Sequence, residues 1–182
     1  LGHSWGEYVS NNDATYENDG TKTRLCNRCG KKETVEDLGS KLTVPEIYSD
    51  FSGIANAGET INIPICVKNN SGFMGIMLEF EYDPTVLTPI SVEYGDVIAS
   101  GLQDNIEGDA KEGSFKVYWA DSETFNSNGT MFYINAYINS SAVGDSIIDI
   151  SYSQSDTFNV NFNDVPIICN DILLNILHKR SF

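Results

Sequence analysis

The chain has little positive charge. Its 182 residues include 11 Lys+Arg against 26 Asp+Glu, a net charge of -15 with histidine neutral. Such a surface repels phosphate backbones and anionic headgroups, which argues against nucleic acid or a membrane surface as partner and favours a basic or calcium-bearing protein. Histidine is scarcer still. His3 and His178 stand near opposite ends, and neither lies in a recognisable nucleophile motif, so the sequence offers no basis for a catalytic triad. No apolar run approaches the roughly 20 residues of a spanning helix, so no membrane insertion is expected. Nor does a charged and then apolar leader open the chain, which begins at Leu1 and reads as a piece of a longer polypeptide. Internal repeats and low-complexity tracts are lacking as well.

Cysteine is sparse, at 4 residues. Cys66 and Cys169 lie far apart, and a bridge between them is possible, although two unpaired thiols are the simpler reading. Cys66 alternates with Ile65 and Val67, which places it on the face of Asn62 rather than in the core. Cys26 and Cys29 form a C-x-x-C followed by Gly30, the shape of a zinc knuckle, in which two thiolates grip one ion and the glycine relieves the turn. His3 could supply a third ligand. The alternatives are a small two-stranded spacer and a local disulfide.

What is abundant is alternation. Ile76, Leu78, Phe80 and Tyr82 fall on every second position, while Met77, Glu79 and Glu81 point the other way. Asp83-Pro84 ends that run, and Val86 to Val92 begins another. Ile61, Ile63, Ile65 and Val67 share a face, with Pro64 marking an edge or bulged strand. Phe115, Val117 and Trp119 point inward against Lys116 and Tyr118. Phe132, Ile134, Ala136 and Ile138 oppose Tyr133, Asn135 and Tyr137, and Ile148 and Ile150 oppose Ile147. Asn170-Asp171 reads as a two-residue hairpin turn between Ile167–Cys169 and a closing strand over 172–179. Many short strands without a long helix imply an all-β protein, a β-sandwich. Residues 1–40, rich in Asn, Thr, Gly and charge, read as a separate zinc-ribbon-like or two-stranded segment. Gly39-Ser40 marks the seam, and the first strand of the main domain, 41–182, is expected over 42–47.

Several constellations carry little chemistry. Glu79 and Glu81 are separated by an i, i+2 step of about 6.6 Å, near the carboxylate spacing of inverting glycosidases. Two acids on one strand face are ordinarily solvated, however, and no enzyme is expected. The acids and amides of 121–129 depart from the alternate-ligand spacing of an EF-hand loop. Tyr118, Tyr133 and Tyr137 are outward-facing and suit either sugar stacking or a protein interface.

The segment 72–95, GFMGIMLEFEYDPTVLTPISVEYG, with its glycine-aromatic opening and its close on Tyr-Asp-Pro-x-Val-Leu, resembles the cohesin family of bacterial surface-scaffold modules. The resemblance runs from about Lys41 to the C-terminus. It implies a jelly roll of about nine strands that is a non-catalytic receptor for a dockerin carried by another protein, assembling an extracellular, cellulosome-type complex of polysaccharide-degrading enzymes. It also implies a secreted, cell-surface or scaffold-attached location, and calcium that belongs to the dockerin, with no cofactor required in this chain. By the same resemblance, the recognition surface corresponds to Met77, Glu79 and Glu81 on one strand and to Tyr118 and Asp121 on another. A carbohydrate-binding module on a similar jelly roll is the alternative, and a structural spacer or adhesin domain a third. The segment from Gly2 to Thr34, GHSWGEY…ATYENDGTKTRLCNRCGKKET, is similar to a short repeat in surface proteins of Gram-positive gut bacteria, in which a cysteine commonly stands where this sequence has Tyr16.

Overall fold

The computed structural model describes residues 2–106 and 112–177. His178 and the end of the strand expected over 172–179 lie outside the described residues. The chain divides into two compact units, residues 1–44 and 45–182.

The first unit is a three-stranded antiparallel sheet rather than a two-stranded ribbon. Strands β1 (Val9–Ser10), β2 (Gly20–Leu25) and β3 (Lys32–Asp37) lie in that order. Its interior is thin: among the described residues of this unit, Cys26 is the one buried apolar side chain. Polar and cationic contacts do most of the tying. The Arg24 guanidinium lies 4.9 Å from the Trp5 ring and 4.6 Å from the Tyr8 ring and pairs with Glu33, and Lys22 reaches Asp37 at 2.7 Å. Asp13 accepts hydrogen bonds from both the backbone and the hydroxyl of Thr21.

The second unit is a sandwich of two sheets. Its strands are β4 (Glu46–Tyr48), β5 (Ile54–Asn56), β6 (Thr60–Lys68), β7 (Phe73–Glu81), β8 (Leu87–Tyr94), β9 (Leu102–Asp104), β10 (Ser114–Phe125), β11 (Gly129–Ile138), β12 (Gly144–Tyr152), β13 (Ile168–Cys169) and β14 (Ile172–Leu177). One sheet runs β5-β14-β12-β7-β10-β9 and the other β13-β4-β6-β11-β8. The first and last strands each cross between sheets. β4 and β13 pair in parallel in the five-stranded sheet, and β5 and β14 do so in the six-stranded one. With those two crossings counted as continuous strands, the eleven segments among the described residues reduce to the nine of a jelly roll.

The alternating residues fill the space between the sheets. Ile76, Leu78, Phe80, Phe115, Val117 and Trp119 of one sheet are buried against Ile63, Ile65, Phe132, Ile134, Ala136 and Ile138 of the other. Phe80 stacks on Phe115 at 5.0 Å and meets Phe132 edge-on at 6.2 Å, so an aromatic contact of favourable geometry joins the sheets at mid-height.

Four local expectations are corrected. The first strand begins at Glu46, later than expected from Leu42. Cys66, although on the outer parity of β6, is 2% exposed, because Asp50 and Thr130 close over its sulfur. Asn170-Asp171 is not a hairpin turn, since β13 and β14 lie in different sheets and neither residue has positive φ. Instead the Asn170 N–H donates to the Ile47 carbonyl, and the Asp171 carboxylate accepts from the Ile150 N–H, so one residue is fastened to each sheet at the crossing. Met77, expected outward and free, is buried, as described below. Pro64 sits opposite Tyr133 and just past the β4 ladder, which ends at Cys66, so its missing N–H costs no pairing on that side.

Candidate functional site

The outer face of β9, β10, β7 and β12 is built in cross-strand rows. Gln103, Tyr118 and Met77 stand side by side in one row. Lys116, Glu79 and Ser151 form the next, and Ser114, Glu81 and Asp149 the third. Alternation dictates which residues face outward, and register dictates which become neighbours. Lys116 and Glu79 approach to 3.9 Å with about a third of each side chain exposed, a contact whose strength depends on salt. Glu81 and Asp149 are exposed like charges placed directly opposite one another, an arrangement that favours a cationic partner. Tyr118 is 38% exposed and offers an amphipathic ring at the centre of the face.

Met77 is only 9% exposed, contrary to its sequence pattern. The cause is the chain after β12. The Ser153 N–H donates to the Met77 carbonyl, and Phe158 exchanges backbone hydrogen bonds with Gly75 and Met74, so the segment follows β7 and closes over that end of the face. Gly75 makes this possible, because a β-carbon there would stand 2.6 Å from the Phe158 ring. Phe162, stacked on Phe158 at 5.6 Å, is left 74% exposed at the rim.

Asp121 is not brought to this face. It shares the parity of Trp119, and β10 is irregular against β7 beyond Ala120. Its carboxylate accepts from the Ser100 hydroxyl at 2.7 Å and from the Ser122 N–H at 2.6 Å, which hold it below the usual carboxylate range. There it lines a groove of about 270 Å³ with Ser100, Trp119 and Phe125. Glu79 and Glu81 lie side by side on one strand, as expected, rather than across a cleft from each other.

Sequence reasoning left out Lys116, Gln103, Asp149 and Ser151. Lys116 carried a signal, its outward parity, but its pairing with Glu79 is a fact of register between two strands. Gln103 lies on a three-residue strand too short to show a period. The outward tyrosines divide between the sheets: Tyr118 is on one, Tyr133 and Tyr137 on the other, so the three form no common platform.

In the first unit, His3, Cys26 and Cys29 do converge, with their donor atoms all within 4.8 Å of one another. Burial opposes ionisation of the Cys26 thiol. The backbone N–H groups of Arg28 and Cys29 and the His3 ring outweigh it and bring the pKa down to about 6. The remaining cysteines of the chain are of another kind. All four are free thiols, but burial pushes Cys66 up and, with Asp171 and Asp149 nearby, pushes Cys169 up to about 12.

The family model described as "Cohesin domain" matches residues 51–168, from the turn before β5 to the start of β13, and so includes the whole outer face. This chain belongs to the cohesin family. Solved cohesins share the fold at low identity. A cohesin of Clostridium thermocellum, in the Coh-OlpA-Doc918 complex, superposes with a TM-score of 0.66 at 20% identity over 74% of this chain and 100% of that one. The seventh ScaB type I cohesin of Pseudobacteroides cellulosolvens gives 0.65 at 17% identity, over 76% and 95% of the two chains. A non-cellulosomal cohesin of the archaeon Archaeoglobus fulgidus gives 0.63 at 20%, over 74% and 92%. Among curated proteins, cellulose-binding protein A of Clostridium cellulovorans is 23% identical over 106 residues, 56% of this chain. The matched stretch spans 6% of that protein's own length.

Proposed function

We propose that this cohesin domain is a non-catalytic receptor for a dockerin on another polypeptide, and that it holds its partner within an extracellular, cellulosome-type assembly acting on polysaccharide. One observation carries the reading: family membership coincides with an outer sheet face whose central Tyr118 is exposed and flanked by the Lys116–Glu79 pair and by the Glu81–Asp149 acids. An aromatic anchor beside a charged rim is the anatomy of a protein interface. The OlpA cohesin that shares this fold was crystallised as a type I cohesin–dockerin complex. Acids on this face suit a basic or calcium-carrying partner, and the calcium belongs to the dockerin rather than to this chain. The contact residues are Tyr118, Lys116, Glu79 and Glu81, with Met77 beneath and Asp121 at a distance.

The test is a pull-down of the full chain against a panel of dockerin types, with calcium and with chelator. Calcium-dependent capture that Tyr118→Ala weakens supports the reading. Saturable binding to a soluble glycan, with no dockerin captured, would overturn it in favour of a carbohydrate-binding module.

A further inference from the structure

We propose that His3, Cys26 and Cys29 bind a single zinc ion that staples the N-terminal unit. The distances fit. Tetrahedral zinc, with Zn–S near 2.3 Å and Zn–N near 2.0 Å, sets a sulfur and a nitrogen about 3.5 Å apart and two sulfurs about 3.8 Å apart. Here His3 Nδ1 lies 3.4 Å from Cys29 Sγ, and all three donor atoms fall within 4.8 Å of each other. The donors are two soft thiolates and an imidazole, a set that selects zinc over oxygen-seeking magnesium or calcium.

The backbone prepares this site from two directions. From the β2–β3 connection, Cys26 and Cys29 are brought together by a turn in which the Gly30 N–H donates to the Cys26 carbonyl at 2.9 Å, with Gly30 at φ +68°. The backbone N–H groups of Arg28 and Cys29 hydrogen-bond to the Cys26 sulfur, the kind of second contact that orients a metal ligand. From the other direction, Trp5 pairs with Cys26, the Asn27 N–H donates to the Ser4 carbonyl at 2.7 Å, and the Gly6 N–H donates to the Leu25 carbonyl at 2.8 Å. Those bonds lay residues 4–6 along the turn and hold His3 over the two sulfurs.

The unit also has a need for such a link. A segment of this size with one buried apolar side chain among its described residues cannot be stabilised by its core, and small domains of this kind add a metal or a disulfide. Zinc at this position would join the N-terminal segment to the β2–β3 turn. His3 and Cys29 are exposed, so the fourth coordination position faces solvent and is filled by water.

The experiment uses the full chain, reduced and metal-free, titrated with zinc in competition with a chromophoric chelator and separately with cobalt. One equivalent of zinc is expected, together with the visible absorption of tetrahedral thiolate-bound cobalt and slower hydrogen exchange at the amides of β2 and β3. Loss of an outer-shell partner alone lowers metal affinity about 10- to 100-fold. His3→Ala should therefore weaken binding at least about tenfold, and the Cys26→Ser, Cys29→Ser double variant should abolish it. The hydrogen-exchange pattern of the sandwich gives an internal standard for folding in each variant. Uptake below half an equivalent, or undiminished binding by the double variant, overturns the proposal. So does a chain isolated with Cys26 and Cys29 already joined that takes up no zinc after reduction, which would assign the pair to a disulfide staple.

Discussion

Tyr118 and Met77 face each other across β10 and β7, yet they should respond to mutation in opposite ways. Tyr118 is 38% exposed and leaves β10 on the side opposite buried Val117 and Trp119, so Tyr118→Ala should cost about 1–3 kcal/mol of dockerin binding. Its effect on stability should stay within about 0.5 kcal/mol. Met77 is roofed by the segment that pairs with Gly75, and truncating it opens a cavity. Met77→Ala should cost about 2 kcal/mol or more of folding stability. Urea unfolding and calorimetric titration of both variants check this. Equal stability for the two would show that the roof over Met77 does not persist in solution. Glu81→Lys belongs to the same comparison: an exposed charge chiefly steers encounter, so the reversal should slow association and change its salt dependence more than it changes dissociation.

Among the elements, the turn between β9 and the preceding loop depends most on one residue. Gly101 has φ +77°, and a β-carbon there would stand 2.2 Å from the Ala120 carbonyl oxygen of the neighbouring strand. The indole N–H of Trp119 donates to the Ser100 carbonyl at 2.8 Å, and the Ser100 hydroxyl donates to Asp121, so β10 is fastened to the loop just before the start of β9. Gly101→Ala combines backbone strain with a clash that no flexible side chain can relieve. A loss of about 1–3 kcal/mol is expected from the strain alone, with a changed Trp119 fluorescence as the local marker. Wild-type stability and emission would mean that the loop can leave β10 without consequence. Gly75 plays a comparable part on β7, where its missing side chain admits the Phe158 ring.

At the level of the whole molecule, the two units differ in what holds them. Among the described residues, every buried Val, Ile and Leu lies in the sandwich, whereas the first unit relies on Arg24, Lys22, Asp13 and the Cys26 turn. A chain beginning at Pro45 should therefore fold cooperatively and keep its dockerin affinity. Absence of a single thermal transition in that truncated chain would assign part of the sandwich's stability to residues 1–44.

The division between what was legible in the sequence and what was not follows from the physics of strands. A strand writes its inward and outward faces into a period of two, so the buried rows of β6, β7, β10, β11 and β12 could be read directly, as could the all-β class. The Tyr82-Asp83-Pro84 close of β7, with Val86 and Leu87 beyond, carried the family resemblance. The C-x-x-C spacing likewise named Cys26 and Cys29, and His3 beside them, before any fold was known. Register, crossings and coverage are not written locally. Asn170-Asp171 has turn chemistry, but only the partners of β13 and β14 decide that the chain changes sheets there. Met77 and Cys66 have outward parity, yet each is buried by a segment distant in sequence: Phe158 and its neighbours over β7, Asp50 and Thr130 around the sulfur on β6. Asp121 is a different case: its parity is that of buried Trp119, so alternation alone sets it opposite Tyr118, and the Ser100 hydroxyl holds it there. Local sequence determines the direction in which a side chain leaves its strand, and contacts between distant segments determine what it meets there.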